Sequence, residues 1–364
     1  MKCDHVVRVV WLAALACVSG LTAQVVTPVE TATAAAQQGM AVATVVASTS
    51  SVVEPAVPVG PVIGTPDQAR VVNVSTRARV AADAPLIVGF VVSGNGSRTL
   101  LLRAVGPTLH FFGVTDALNA LRLQLYDCDQ HLIAENGGWA DTQANLFAVT
   151  AAERRTGAFP LMTNAANDAA TVVTLPPGAY TLHVVASAGN SGVALAEIYD
   201  ATDPGNSSRL ANISTRSAVS QAGDLISGFI VSGTAPRRFL VRAIGPGLAP
   251  FRVSGWLGNP QFTIYDAGGR VVSANDNWSA GYDVVSTLAN GGAVNQISFV
   301  PVDISLAVVK QLSDASGEAG AFQLQPGSAD AALVVALAPG AYTVHVAAAA
   351  PAAGTALLEV YELP

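Results

Sequence analysis

The amino-acid sequence predicts an all-β fold: two tandem Greek-key or jelly-roll-like β-sandwich domains after a signal peptide and a disordered linker. Most of the chain consists of two copies of one long segment. In each copy the apolar runs are short, rich in β-branched residues and bounded by Gly, Pro, Asn or Asp, which is typical of antiparallel strands. Helical spacing is plausible only at residues 145–155 and 304–312.

The first 23 residues have the pattern of a secretory signal peptide. Lys2 and Arg8 precede an apolar stretch at residues 9–18, and small residues lead to Ala23. Because a bilayer core needs about 20 apolar residues, this stretch is too short for a membrane anchor. We therefore expect cleavage after Ala23 and a secreted or cell-surface protein. In an alternative reading, a lipid on Cys17 tethers the chain to a membrane.

Residues 24–68 predict an extended, largely disordered linker. They are mostly Ala, Val, Thr, Ser and Pro, so they offer few large side chains to a core. After residue 23 the sequence contains one cysteine, Cys128, which excludes an internal disulfide in the processed chain. Packing alone must then stabilise the domains.

The charge of the processed chain argues against nucleic acid as a partner. Without residues 1–23 the chain has 16 basic and 24 acidic residues, a net charge of −8, whereas nucleic-acid binding requires a basic surface. We also expect no transmembrane segment, because Pro and His interrupt the most apolar tract, residues 331–360.

The duplication defines two domains, residues 69–203 and 208–364. Asn73-Val-Ser-Thr-Arg recurs 139 residues later as Asn212-Ile-Ser-Thr-Arg, and four further blocks match at the same offset. The register then slips, because the second copy has about two dozen extra residues between Trp278 and Gly320. We therefore place an insertion within residues 279–319.

Eight strands are predicted in the first copy. Residues 121–126 alternate clearly, with leucines on one face and Arg, Gln and Tyr on the other, so one face is buried and one is wet. The predicted strands are residues 70–74, 86–93, 99–105, 121–127, 131–135, 169–175, 180–186 and 193–199.

Both copies contain Leu-x-Pro-Gly-x-Tyr, ending at Tyr180 and Tyr342. The motif resembles the tyrosine corner of Greek-key sandwiches, in which the hydroxyl bonds to upstream backbone. We therefore assign both tyrosines a structural role.

The combined motifs resemble known bacterial repeats. Asn-x-Ser-Thr-Arg, Gly-Phe-x-Val-Ser-Gly, Arg-Ala-x-Gly-Pro, Pro-Gly-Ala-Tyr-Thr and Glu-x-Tyr are similar to an uncharacterised tandem repeat of exported verrucomicrobial-type bacterial proteins, over nearly all of residues 70–364. The order Tyr-Asp, Asp-x-Trp, Pro-Gly-x-Tyr resembles, more loosely, the pre-peptidase C-terminal β-sandwich domains of secreted hydrolases. The first resemblance implies export and modularity, and the second implies an accessory domain.

The sequence provides no pattern for catalysis, and we expect no enzyme and no catalytic residues. A Gly-x-Ser-x-Gly elbow is absent, and no paired His or Cys spacing indicates zinc. His183 and His345 occupy equivalent strand positions. We interpret both as solvated histidines on the strand face opposite Tyr180 and Tyr342.

One segment could bind calcium, which prefers hard oxygen ligands. Asp266, Asn275, Asp276 and Asn277 place such oxygens on what we expect to be neighbouring loop ends of the second copy. Alternatively these residues cap turns, since the first copy lacks most of them. No other cofactor is expected.

Two further residue types repeat in both copies and are assigned structural roles. Arg103 and Arg242 lie in apolar runs and need carboxylate partners, for which the matched Asp168 and Asp330 are candidates. Trp139 and Trp278 are interpreted as core residues, although exposed aromatics there could recognise sugars.

These observations predict a non-catalytic secreted or cell-surface structural and interaction protein. The alternative is an accessory module that binds an extracellular glycan or protein through loops near Trp278, with calcium in the second copy. The sequence identifies no ligand-binding residue.

Overall fold

A computed structural model describes residues 70–162, 167–202, 208–219, 225–279, 282–288, 294–301 and 306–363. The predicted signal peptide and linker lie outside these residues. Within them the chain is all-β with few helices, as the alternating apolar runs predict.

Repeat 1 contains all eight predicted strands. The longest differs from its prediction, because β1 continues past residue 74 to Ala81 while alternating between buried and more exposed positions. The strands are β1 (Arg70–Ala81), β2 (Leu86–Ser93), β3 (Arg98–Val105), β4 (Leu121–Asp127), β5 (Leu132–Asn136), β6 (Ala169–Leu175), β7 (Gly178–Ala186) and β8 (Ser191–Asp200).

Repeat 2 repeats this order and adds one hairpin. Its strands are β9 (Arg209–Val219), β10 (Leu225–Ser232), β11 (Arg237–Ile244), β12 (Pro260–Asp266), β13 (Val271–Asp276), β14 (Tyr282–Leu288), β15 (Val294–Pro301), β16 (Ala331–Leu337), β17 (Gly340–Ala348) and β18 (Gly354–Glu362). β14 and β15 pair only with each other, and they form the described β part of the predicted insertion.

Each repeat has one α-helix in the predicted region: α1 (Gln143–Thr156) and α2 (Leu306–Glu318). Thr142 caps α1 by accepting a hydrogen bond from the backbone of Asn145, and Gly157 ends it in a left-handed conformation. A 3₁₀ helix follows β3 at Pro107–Phe112 and β11 at Pro246–Phe251. None of the helices in the described residues is long and apolar enough to cross a membrane.

Sixteen strands form one antiparallel hydrogen-bonded network with two eight-stranded layers. Layer I has the order β6-β3-β8-β1-β10-β17-β12-β13, and layer II has the order β16-β11-β18-β9-β2-β7-β4-β5. In the part of the chain that the structure describes, one backbone ladder pair, Val71 with Leu210, joins the layers.

Each layer contains four strands from each repeat. Layer I crosses between repeats where β1 pairs with β10, and layer II crosses where β9 pairs with β2. We define these two strand junctions together as the seam. One hydrophobic core, which includes Phe90, Leu123, Phe229 and Phe262, extends through both repeats between the layers. The repeats therefore share both sheets rather than each completing its own.

Candidate functional site

A buried polar group surrounds Arg103, on the outer side of β3. Its Nε donates to Glu197 Oε2 at 2.9 Å, and its Nη1 donates to Glu153 Oε1 at 3.1 Å and to the carbonyl oxygen of Phe159. The guanidinium carbon lies 4.2 Å from the centre of the Phe159 ring, and the hydroxyl of Tyr199 donates to Glu197 at 2.7 Å. Arg103 and Glu197 are fully buried.

Repeat 2 reproduces this arrangement with one carboxylate fewer. Arg242 donates to Glu359 at 2.9 Å and to the carbonyl oxygen of Phe322 at 2.6 Å, and Tyr361 donates to Glu359 at 2.7 Å. Ser316 occupies the helix position that corresponds to Glu153, and its hydroxyl bonds back to the carbonyl oxygen of Leu312. The ion pair of repeat 2 is therefore balanced, whereas Arg103 faces two acids.

Burial dominates the electrostatics of these acids. It raises the pKa of Glu153 and of Glu359 above the ordinary value, while the neighbouring arginine acts in the opposite direction. Buried carboxylates of this kind are tolerated because arginine and hydroxyl donors satisfy their oxygens. The arrangement fixes β3 to β8 and β11 to β18, and it leaves no free acid at either arginine.

The predicted partners of the arginines were wrong. Asp168 instead accepts hydrogen bonds from the backbone N–H of Gly106 at 2.7 Å and from Thr108, at the start of the 3₁₀ helix. Asp330 accepts from the backbone of Gly245 and Gly247 in the same way. Both aspartates are fully buried. Their carboxylates accept hydrogen bonds from backbone N–H groups of a turn that lack other partners, and they do not pair with the arginines.

The repeated Glu-x-Tyr motif was the available signal for the true partners. Glu197 and Glu359 stand directly opposite Arg103 and Arg242 in the strand register. A charged residue inside an apolar strand that recurs in both repeats indicates a buried partner for the recurring arginine. The sequence interpretation used this motif only to align the copies.

Trp139 and Trp278 are each 3% exposed. Trp139 packs with Val149 of α1, and Trp278 packs with Leu312 of α2. The Trp278 indole donates to Ser328 Oγ and the carbonyl oxygen of Gln325. This burial counts against sugar recognition by Trp278, because stacking requires an open ring face.

Both tyrosines have the tyrosine-corner geometry. The Tyr180 hydroxyl donates to the carbonyl oxygen of Pro176 at 2.8 Å, and the Tyr342 hydroxyl donates to that of Ala338 at 2.9 Å. Their rings stack on Phe90 and Phe229 at centroid distances of 5.5 and 5.8 Å. Each hydroxyl thus joins the turn before β7 or β17 to the core.

The structure does not bring the four calcium candidates together. Asp266 lies at the β12–β13 turn, where it accepts from the backbone of Gly268 and pairs with Arg270 at 2.7 Å. Asp276 lies at the other end of β13, opposite Gln261. Asn275, beside it, accepts from the backbone N–H of Ala332 at 2.8 Å, and Asn277 has a left-handed φ of 60°.

Asp276 is 7% exposed, and burial raises its pKa to about 6. Its carboxylate therefore takes up a proton at a higher pH than an ordinary aspartate does.

Another group that could hold a metal lies at the β4–β5 turn and was not predicted. Asp127, Asp129 and His131 place one ligand atom each within 4.8 Å of one another. Hydrogen bonds from the His131 backbone and ring to Asp127 already stabilise this turn. The spacing Asp-x-Asp-x-His was the available signal, although Asp266-x-Gly-x-Arg replaces it in repeat 2.

The histidines lie on outer sheet faces that both repeats build. His183 of β7 faces Tyr126 at a ring-centroid distance of 4.8 Å, and Arg216 of β9 lies two strands away. Burial, followed by the Arg216 charge, lowers the pKa of His183 to about 4. Within the described residues, no hydrogen-bond partner reaches its Nε2.

Layer I contains the equivalent group. His345 faces Tyr265 at 4.7 Å, and burial, followed by the charge of Arg77 of β1, lowers its pKa to about 4. The prediction of solvated histidines was wrong for His183, which is 6% exposed. Both rings are neutral near pH 7.

The fold therefore defines an all-β protein with a buried arginine–glutamate pair in each repeat and two similar composite sheet faces. No protein family's sequence model matches the chain, and no curated protein matches it.

Proposed function

We propose that this chain is a non-catalytic, secreted or cell-surface structural and interaction protein made of paired β-sandwich modules. One observation carries the proposal: the arginines, aspartates and corner tyrosines named above, which both repeats share, are engaged inside the fold. The arginines bind glutamates, the aspartates bind turn backbone, and the tyrosine hydroxyls bind carbonyl oxygens. Such residues support a scaffold rather than a reaction.

The state of the histidines supports the same proposal. A general acid–base catalyst works best with a pKa near the working pH, whereas the pKa of His183 and of His345 is about 4. Both rings also pack on tyrosines. Screening the purified chain against polysaccharide and peptide substrates should show no turnover, and turnover that depends on either histidine would refute the proposal.

Export rests on residues 1–23 and is tested directly. Expression of the full chain in a bacterial host should yield a processed protein outside the cytoplasm whose first residue is Gln24. Retention in the membrane fraction, abolished by Cys17→Ala, would instead support the lipid-anchored alternative. An unprocessed cytoplasmic chain would contradict both. The acidic net charge supports partners other than nucleic acid.

An accessory module that binds an extracellular protein is the second candidate. Phe147 of α1 and Phe111 of the first 3₁₀ helix are 64% and 57% exposed, and exposed aromatics are enriched in protein interfaces. A Phe111→Ser, Phe147→Ser double variant should lose a surface partner that the parent retains in a cross-linking pull-down. Val308→Ser on α2, at a residue 41% exposed, is the control. Equal capture of the partner by the parent, the double variant and the control would show that Phe111 and Phe147 do not contribute to binding.

A further inference from the structure

The seam has the same register on both sides. In layer I, β1 pairs with β10 through Asn73–Ile230, Val74–Phe229 and Ser75–Gly228. In layer II, β9 pairs with β2 through Asn212–Val91, Ile213–Phe90 and Ser214–Gly89. Every pair in one layer becomes a pair in the other when each residue is replaced by its equivalent in the other repeat. The ladders also shift register at the same place, after Val71 and after Leu210.

Two contacts join a residue to its own equivalent. Thr76 and Thr215, which are 139 positions apart, share a hydrogen bond of 3.0 Å between their hydroxyl oxygens, and both are buried. Val71 pairs with Leu210, which is the same offset. Contacts of this type occur on the axis of a two-fold interface, where one surface patch binds its own copy.

We propose that the seam is a self-complementary interface whose fitting partner is another repeat of this kind, so that the chain is a fused pseudo-dimer. The core residues Phe90 and Phe229 lie at the seam strands, each paired across it with a β-branched residue of the other repeat. Association of the repeats therefore extends two sheets and closes one core, and the covalent connection at residues 203–207 only raises the local concentration of the partner.

One difference across the seam disfavours the pairing of repeat 1 with a second copy of itself. Thr76 also hydrogen-bonds Ser227 at 3.1 Å, whereas Val88 occupies the equivalent position opposite Thr215. Two copies of repeat 1 would place Thr76 against Val88 twice, without this bond. The pairing of repeat 1 with repeat 2 therefore keeps a hydrogen bond that two copies of repeat 1 would lack.

The seam also creates the composite faces. Ser214 and Arg216 of repeat 2 lie beside Gly89 and Ile87 of repeat 1, next to Thr181 and His183. Ser75 and Arg77 of repeat 1 complete the equivalent face of layer I. Only paired repeats present these faces, one on each layer.

Cleavage of the full chain tests the proposal. A protease site replaces residues 203–207, and the protein is cut after it has folded. We expect the two fragments to elute together at the size of the uncut chain and to separate only in denaturant. Elution as separate fragments, or precipitation of either one after the cut, would overturn the proposal.

A disulfide at the axis gives an independent readout. In a Cys128→Ser background, Thr76→Cys with Thr215→Cys should oxidise, and the cut protein should then run as one band without reductant and as two bands with it. Each single cysteine variant is a control and should always give two bands. Two bands from the oxidised double variant would place these residues apart and contradict the seam.

Discussion

Arg103 illustrates how much one buried side chain controls. It is the shared donor for Glu197 and Glu153, and all three side chains are buried. Arg103→Met should destabilise the protein by about 3 to 5 kcal/mol, because removing one partner leaves uncompensated buried charge. Urea denaturation at pH 7.5 measures the loss.

Arg242→Met is the matched control and should cost less, because it leaves one buried acid that still accepts from Tyr361. Adding Glu153→Gln to Arg103→Met should reduce its cost towards that of Arg242→Met. Equal losses for both single variants would show that Glu153 carries no charge beside Arg103.

Replacement of Asp276 should have the opposite effect and stabilise the protein. Burial raises the pKa of Asp276 to about 6 in the folded protein. Ionisation of this carboxyl therefore lowers the free energy of unfolding as the pH rises from about 4 through 6. Asp276→Asn should raise the unfolding free energy at pH 8 by about 3 kcal/mol and change it little at pH 4.

Urea midpoints at the two pH values provide the measurement for Asp276. Calcium added at pH 8 tests whether the Asp276 carboxylate binds this ion. A urea midpoint that rises in the parent but not in the variant would show that it does. A variant less stable than the parent at pH 8 would contradict a destabilising buried carboxylate at Asp276.

The candidate residues show where sequence reasoning ends. Burial of Trp139, Trp278, Arg103 and Arg242 could be predicted, because large or charged residues inside apolar blocks repeat in both copies. The partners of the arginines could not be ranked, since Asp168 and Glu197 are both repeated acids. Only strand register places Glu197 opposite Arg103 and Asp168 beside the turn.

The turn before β7 tests the contribution of a tyrosine corner. Tyr180 is 6% exposed, and its hydroxyl bonds to the carbonyl oxygen of Pro176. Tyr180→Phe should cost about 1 kcal/mol, the usual net value of a buried hydrogen bond. Tyr342→Phe should cost less, because its hydroxyl bond is exposed. In the variant, water can donate to the Ala338 carbonyl oxygen in place of the hydroxyl. Thermal denaturation of both variants gives the comparison, and a larger loss for Tyr342→Phe would reverse the argument.

Strands were the most predictable elements. Alternation and bounding turn residues locate all eight strands of repeat 1, because those signals are local. β1 was predicted too short, since its outward residues Asn73, Ser75 and Arg77 are polar although the strand is central. These residues lie beside β10 of the other repeat, which local sequence does not show.

The sharing of sheets between repeats is a property of the whole molecule. A duplicated sequence is equally compatible with two separate sandwiches and with two layers that each combine both repeats. The difference depends on which edges pair, and those edges are the first two strands of each repeat. The second strands, β2 and β10, are rich in β-branched and apolar residues, which suits the central position that they occupy.

The composite faces couple the association of the repeats to pH. His183 lies in repeat 1 and is affected by Arg216 of repeat 2, while His345 lies in repeat 2 and is affected by Arg77 of repeat 1. Both pKa values are about 4 in the folded protein and return to about 6.5 on unfolding. Above pH 6.5 both states are neutral and stability is unaffected; as pH falls from 6.5 to 4, only the unfolded state takes up protons, so stability is lost.

The loss should approach about 3 kcal/mol for each histidine by pH 4, and acid should weaken the paired repeats. A His183→Gln, His345→Gln variant isolates this effect, because the contributions of Asp276 and the buried glutamates cancel when it is compared with the parent. We expect the variant to gain stability relative to the parent as pH falls from 7 to 4, in urea denaturation at fixed ionic strength. A constant difference in stability between the two proteins over this range would contradict the prediction. It would mean that the rings are already protonated or remain accessible to water in the folded protein.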